Sequence, residues 1–203
     1  MTTDTEIQHA VATEYLALAD LVEPLSDASW DTPSLCDAWR VREVIAHMTM
    51  PARYDQETFM AELRARDFDF GRLSNDIAAR DGGLPREALV ADLRSETLHR
   101  WVPPEGGARG ALNHATIHGL DVAVPLGSHH RPSDATLRVV LDDLTAGQIH
   151  QHFGIVIDGR RLEATDLDWS FGAGREIRAM AADLALLLCG RKIPSERFEG
   201  VPL

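Results

Sequence analysis

The sequence predicts a mainly α fold, with a helical bundle over residues 1–152 followed by a small α+β module over 153–203. Three observations carry this reading. Apolar residues recur at helical spacing in several separate segments. The stretch between Arg109 and Arg131 carries Asp121 as its only formal charge, so a helix there is apolar nearly all round and belongs in the middle of a bundle. The pattern then changes at Phe153, where short apolar runs flank an Asp158-Gly159 turn.

Taken in order, Val11, Tyr15, Leu18 and Val22 mark a long first helix over 6–25, ending at or just after Pro24. Residues 26–39, rich in Ser, Asp and Pro, read as a loop. Val41, Val44, Ile45 and Met48 form the i, i+3, i+4, i+7 set of a second helix, with an interruption expected near Pro51. A further helix is expected to start with Pro85 in its first turn and to run through Leu89, Leu93 and Leu98 toward Trp101, before Pro103-Pro104-Glu-Gly-Gly breaks the chain. The apolar helix follows, and Asp134 to about His152 is again helical in pattern. In the C-terminal segment, "FGIVIDGRRLEATDLDW" predicts two strands joined at Asp158-Gly159. Ile177, Met180, Ala181, Leu184 and Leu188 predict a last amphipathic helix, with Gly190 as its C-cap. Gly172-Ala-Gly174 is too short for a phosphate-binding loop.

The 44% hydrophobic content of 203 residues can fill a core of its own. A net charge of −12 disfavours nucleic acid and anionic membrane, whose phosphates are bound through Lys and Arg. Lys192 is the only lysine, the arginine-for-lysine bias of a GC-rich bacterial genome. No apolar run is long enough to span a membrane, and Met1-Thr-Thr-Asp-Thr-Glu lacks an export-signal pattern, so a cytoplasmic protein is expected. Cys36 and Cys189 lie far apart in sequence, which fits reduced thiols better than a disulfide scaffold.

Nine histidines need sorting by geometry. At roughly 100° per residue, His114, His118 and Asp121 share a stripe roughly 60° wide. Apolar residues flank that stripe on both sides, so it points inward. From the HxxxH spacing alone, packed and hydrogen-bonded histidines are the commoner outcome; a metal site needs a third ligand. His47 is the best candidate, because it borders the apolar face of the second helix beside Val44. Asp121 would then orient a ligand rather than bind the metal. His129-His130 sits in a turn where exposure is the default, His150 and His152 cannot share a helical face, and His9 and His99 have no partner at useful spacing. Cys36, at the start of a helix, reads as a small packing residue more readily than as a nucleophile.

The motif W-x-x-P-S-L-C-D-A-W-x-V-R-E-V-I-A-H, ending at His47, resembles the signature of the DinB-like superfamily in its branch containing mycothiol-dependent maleylpyruvate isomerase. "NHATIHGLDVAVPLG" is similar to that family's later ligand helix, and "LEATDLDWSFGAG" with "AADLALLLCGR" is similar to the isomerase branch's small C-terminal module. The resemblance spans about 6–191, with the middle helix poorly marked. It implies a DinB-like four-helix bundle in which His47, His114 and His118 bind one divalent metal, zinc first, with nickel, iron or copper acceptable. Trp30, Pro33 and Trp39 are then expected to pack the loop against the bundle.

Two departures are informative. The isomerase has a carboxylate where this chain has His114, giving an all-histidine set closer to other DinB-like thiol transferases and arguing against maleylpyruvate as substrate. Arg40 replaces the family's usual Ser or Thr at the start of the second helix, so a cap is expected from Asp37. The implied activity is a thiol transferase or isomerase that activates a low-molecular-weight thiol, mycothiol in actinobacterial members, for addition to a small electrophile. A non-catalytic metal-binding or regulatory protein and a metal-dependent hydrolase are the alternatives. A small thiol and an electrophile are the expected partners, and a homodimer the candidate assembly.

Overall fold

The computed structural model describes residues 3–104 and 106–200; Met1 and Thr2 of the N-terminal pattern and Glu105 of the expected break lie outside them. The chain forms two compact units, Met1–His130 and Arg131–Leu203. The second unit therefore begins at Arg131 rather than at 153, since the helix after Asp134 groups with the C-terminal sheet.

The first unit contains α1 (Asp4–Val22), α2 (Asp27–Trp30), α3 (Val41–Met48), α4 (Met50–Arg53), α5 (Gln56–Arg64), α6 (Phe70–Asp81), α7 (Arg86–Leu93), α8 (Glu96–Arg100) and α9 (Gly107–Ala123). α1 starts in a capping box, with Thr3 N–H donating to Glu6 (2.7 Å) and Glu6 N–H to the Thr3 hydroxyl (3.3 Å). It buries Ile7, Val11, Tyr15, Leu18 and Val22 against α9. α9 is buried on nearly every side, as its composition requires, and packs on both α1 and α3.

α3 places Val41, Val44, Ile45 and Met48 at 0% exposure. Glu43 supplies a cap, its carboxylate accepting the Arg40 backbone N–H at 2.8 Å. A residue in the third helical position reaches back as easily as a preceding side chain reaches forward. The interruption expected near Pro51 falls at Thr49, between α3 and α4.

α5 and α6 were not legible in the sequence. α6 packs on α3 and buries Leu73, Ser74, Ile77, Ala78 and Asp81, a face on which only Leu73 and Ile77 are large and apolar, so its apolar stripe is too thin to stand out. The single helix expected over 85–101 is two, α7 and α8. Ser95 caps α8 by accepting Leu98 N–H (3.2 Å), and Pro85 precedes α7 as its N-cap. Leu89, Leu93 and Leu98 are nonetheless all at 0% exposure.

The second unit contains α10 (Asp134–Ala146), a 3₁₀ turn (Ile149–Phe153), β1 (Arg160–Ala164), β2 (Ser170–Gly172), β3 (Arg175–Ala179), α11 (Ala181–Leu188) and β4 (Phe198–Gly200). The sheet order is β2-β1-β3-β4, with β1 and β3 parallel and the other pairs antiparallel. The expected hairpin around Asp158-Gly159 is not formed. The preceding apolar run is irregular, with Val156 68% exposed, and β1 begins only after the turn. Ile177 also belongs to β3, paired with Leu162, and not to the last helix. Helical spacing here runs across a strand-to-helix junction, where Asp166 caps α11 by accepting Ala181 N–H at 2.7 Å. Gly190 ends α11 with φ +72, as expected of a left-handed C-cap. Gly174, at φ +123, lets Arg175 N–H reach the Gly159 carbonyl (2.9 Å); a Cβ there would lie 2.1 Å from that oxygen.

Candidate metal centre

His47 lies in the last turn of α3, and His114 and His118 lie one turn apart on α9. Packing α3 on α9 brings the three rings to centroid separations of 4.8–5.1 Å, with one nitrogen from each within 4.8 Å of the others. His114 Nε2 and His47 Nε2 are 3.2 Å apart.

Each ring is held from behind through Nδ1. Ser74 Oγ on α6 is 2.9 Å from His47 Nδ1, and Tyr15 Oη on α1 is 3.2 Å from His114 Nδ1. His118 Nδ1 donates to Asp121 Oδ2 at 2.9 Å. Anchoring Nδ1 leaves Nε2 of each imidazole for a shared ligand, the usual arrangement behind metal-binding histidines. Three neutral imidazoles suit a divalent metal of borderline softness and leave coordination positions open, so the donor set fits the metal that the sequence resemblance implies.

Electrostatics favour the neutral imidazoles that metal binding requires. Burial, and then the neighbouring His118, hold His114 well below the ordinary value of 6.5, against a smaller opposing pull from Asp121. Tyr15 is fully buried, which raises its phenol above its ordinary range and keeps it a neutral hydrogen-bonding group.

The loop before α3 closes one side. Its ends are joined by Val41 N–H to the Thr32 carbonyl (2.9 Å) and by a bridge between Pro33 and Arg40. Ser34 Oγ accepts Cys36 N–H (3.1 Å) and donates to the Trp39 carbonyl (2.7 Å), while Ala38 takes a left-handed φ of +69. Trp39 thereby lies 4.9 Å from the His47 ring and 6.5 Å from the His118 ring. Trp101 packs edge-on to His114 at 5.5 Å, so tryptophans stand beside the cluster from two parts of the chain. Trp30 packs as expected, at 0% exposure with Nε1 donating to the Val22 carbonyl (3.1 Å); Pro33 is exposed.

Cys36 is more than a packing residue. Its thiol donates to Asp121 Oδ2 at 3.0 Å and lies 3.6 Å from His118 Nδ1. Of the remaining histidines, His130 pairs with the buried Glu14 (3.4 Å) instead of facing solvent, His99 bonds the Leu93 carbonyl (2.9 Å), and His150 the Ile155 carbonyl (2.7 Å). The sequence marks Tyr15 and Trp101 only as residues of helical patterns and Ser74 not at all, because nothing in local spacing connects them to the histidines.

The profile of the mycothiol maleylpyruvate isomerase N-terminal domain matches residues 11–123, more than half of the chain. The chain belongs to this family. The matched span runs from α1 to the end of α9 and includes all three histidines and Asp121. Among solved structures, a crystal structure of the mycothiol-dependent maleylpyruvate isomerase is similar, with TM-score 0.60, 17% identity, 99% of this chain and 95% of that chain covered. A second structure of that isomerase, carrying a histidine-to-alanine substitution, gives TM-score 0.58 at 16% identity, covering 100% of this chain and 99% of the other. At such identities the likeness is one of fold. No curated protein matches the chain in sequence. Family members are thus expected to share the helical unit, and among the described residues no helix is long and apolar enough to cross a membrane.

Proposed function

We propose that this family member is a metal-dependent thiol transferase or isomerase, in which His47, His114 and His118 hold one divalent metal, zinc first. A low-molecular-weight thiol of the mycothiol class would add to a small electrophilic substrate, remaining attached in transfer or leaving after rotation about the former double bond in isomerisation. The observation that carries this reading is the convergence of three imidazoles, each anchored through Nδ1 by a different partner. The mycothiol-dependent isomerase activity of the protein in the similar solved structures supports the thiol and the isomerase chemistry.

A metal bound there supplies a Lewis acid that acidifies a thiol and polarises a carbonyl. The chain's own residues prepare the site for that chemistry. Asp121 holds the His118 proton on Nδ1, Ser74 and Tyr15 orient the other two rings, and the burial of His114 keeps it unprotonated near neutral pH. Trp39 and Trp101 border the rings and would present flat apolar surfaces to a small substrate.

Metal content per chain, measured by plasma mass spectrometry on tag-free protein, tests the site: near one equivalent in the parent and near none in folded His47→Ala. Turnover of electrophiles is then compared with mycothiol, with other thiols and without thiol. Thiol-independent hydrolysis would move the assignment to a hydrolase. Metal binding without turnover would leave a non-catalytic role.

A further inference from the structure

A second set of donor atoms lies behind His118. Cys36 Sγ, Asp121 Oδ2 and His118 Nδ1 form a triangle with edges of 3.0, 2.9 and 3.6 Å. One sulfur, one oxygen and one nitrogen thus gather within 4.8 Å of one another. The triangle uses Nδ1, the nitrogen that the three-histidine set leaves to Asp121.

The donors are pinned before any ion arrives. Leu35 N–H donates to the Asp121 backbone carbonyl at 3.1 Å, tying the Cys36 loop to α9, and Ser34 fixes the Cys36 backbone. Zinc-type bonds of about 2.0–2.3 Å put tetrahedral ligand atoms about 3.3–3.6 Å apart, so the shorter edges need open by about half an ångström for zinc and further for the larger cadmium ion. Charge favours the same outcome. Asp121 is at 0% exposure, and a carboxylate with a thiolate neutralises a divalent cation where three imidazoles do not.

We propose that Cys36, His118 and Asp121 form a second cation site, selective for thiophilic divalent metals such as cadmium, that competes with the three-histidine set for His118. On binding, the Cys36 thiol releases its proton to solvent and forms the metal–sulfur bond. The His118 proton moves from Nδ1 to Nε2, and Nδ1 becomes the nitrogen donor. Nε2, now protonated, is withdrawn from His47 and His114. Thiophilic metals therefore act on this protein by capturing His118, and zinc in the histidine set is weakened while they are bound.

Cadmium titration of the metal-free, fully reduced, tag-free protein tests this through the ultraviolet sulfur-to-cadmium charge-transfer band. The band is expected to saturate near one equivalent in the parent and in His47→Ala, to vanish in Cys36→Ser and Cys36→Ala, and to need more than tenfold more cadmium in Asp121→Asn. Circular dichroism verifies that each variant is folded. Absence of the band in the parent overturns the proposal, as does its persistence in both Cys36 variants, which would assign it to Cys189. Loss of the band in folded His47→Ala also overturns it, because the sulfur would then serve the histidine set. Since the band is expected without His47, its outcome is separate from zinc loss in His47→Ala, which tests the three-histidine centre.

Discussion

The Ser74 hydroxyl on α6 stands 2.9 Å from His47 Nδ1 on α3, both side chains buried, and so couples the least conspicuous helix of the first unit to its histidine cluster. A hydroxyl in that position sets the ring's orientation. The helix that sequence patterning passes over is therefore the one that aims His47.

Ser74→Ala is expected to keep the fold and to weaken the metal binding proposed for the three-histidine centre by about 10–100-fold, read with zinc as the probe. Competition against a chromophoric chelator measures this. Unchanged affinity in the variant would reduce Ser74 to a packing residue.

Stability of the metal-free protein is expected to fall as pH drops below the ordinary histidine value of 6.5. His114 is held well below that value in the folded protein by burial and by His118, so the unfolded chain binds the proton first. The unfolded state then holds more protons, and stability declines by up to about 1.4 kcal/mol per pH unit until folded His114 itself protonates. Urea denaturation of chelator-treated parent and His114→Asn, from pH 7.5 to 5, checks the sign: the parent should lose more. Parallel losses would contradict it.

Gly119→Ala is expected to stabilise the protein by about 0.5–1 kcal/mol. Gly119 is a buried residue inside α9, and a Cβ built there meets nothing within 4 Å. Alanine restricts the unfolded chain without a clash. A lower midpoint in chemical denaturation would show that the neighbouring helices close on this position more tightly than the geometry indicates.

Gly174→Ala is expected to act in the opposite direction, costing at least about 1–3 kcal/mol. Its φ of +123 is rare for L side chains, and the added methyl would fall 2.1 Å from the Gly159 carbonyl oxygen. Thermal melting compared with Gly119→Ala separates the two effects. Equal melting temperatures would count against both accounts.

Much of the first unit was legible in one dimension because helical geometry is local. The apolar spacings of α1 and α3 follow from 3.6 residues per turn, and so does the shared stripe of His114, His118 and Asp121 on α9. The same periodicity misled where the chain changed element, placing Ile177 in a helix although it pairs with Leu162 in the sheet. It was silent for α6, whose buried face carries Ser74 and Asp81 beside Leu73 and Ile77.

By itself the sequence determined the family resemblance, the helical class and three histidines of suitable chemistry. Helical spacing already set Asp121 beside His118, but only the tertiary structure decided what stands behind His47 and His114 and what meets Asp121. Tyr15 meets His114 across 99 residues, Cys36 meets Asp121 across 85, and Ser74 meets His47 across 27. Local propensity cannot encode such pairs, because they arise when apolar faces of separate helices are buried together and the polar groups carried inward must find partners there.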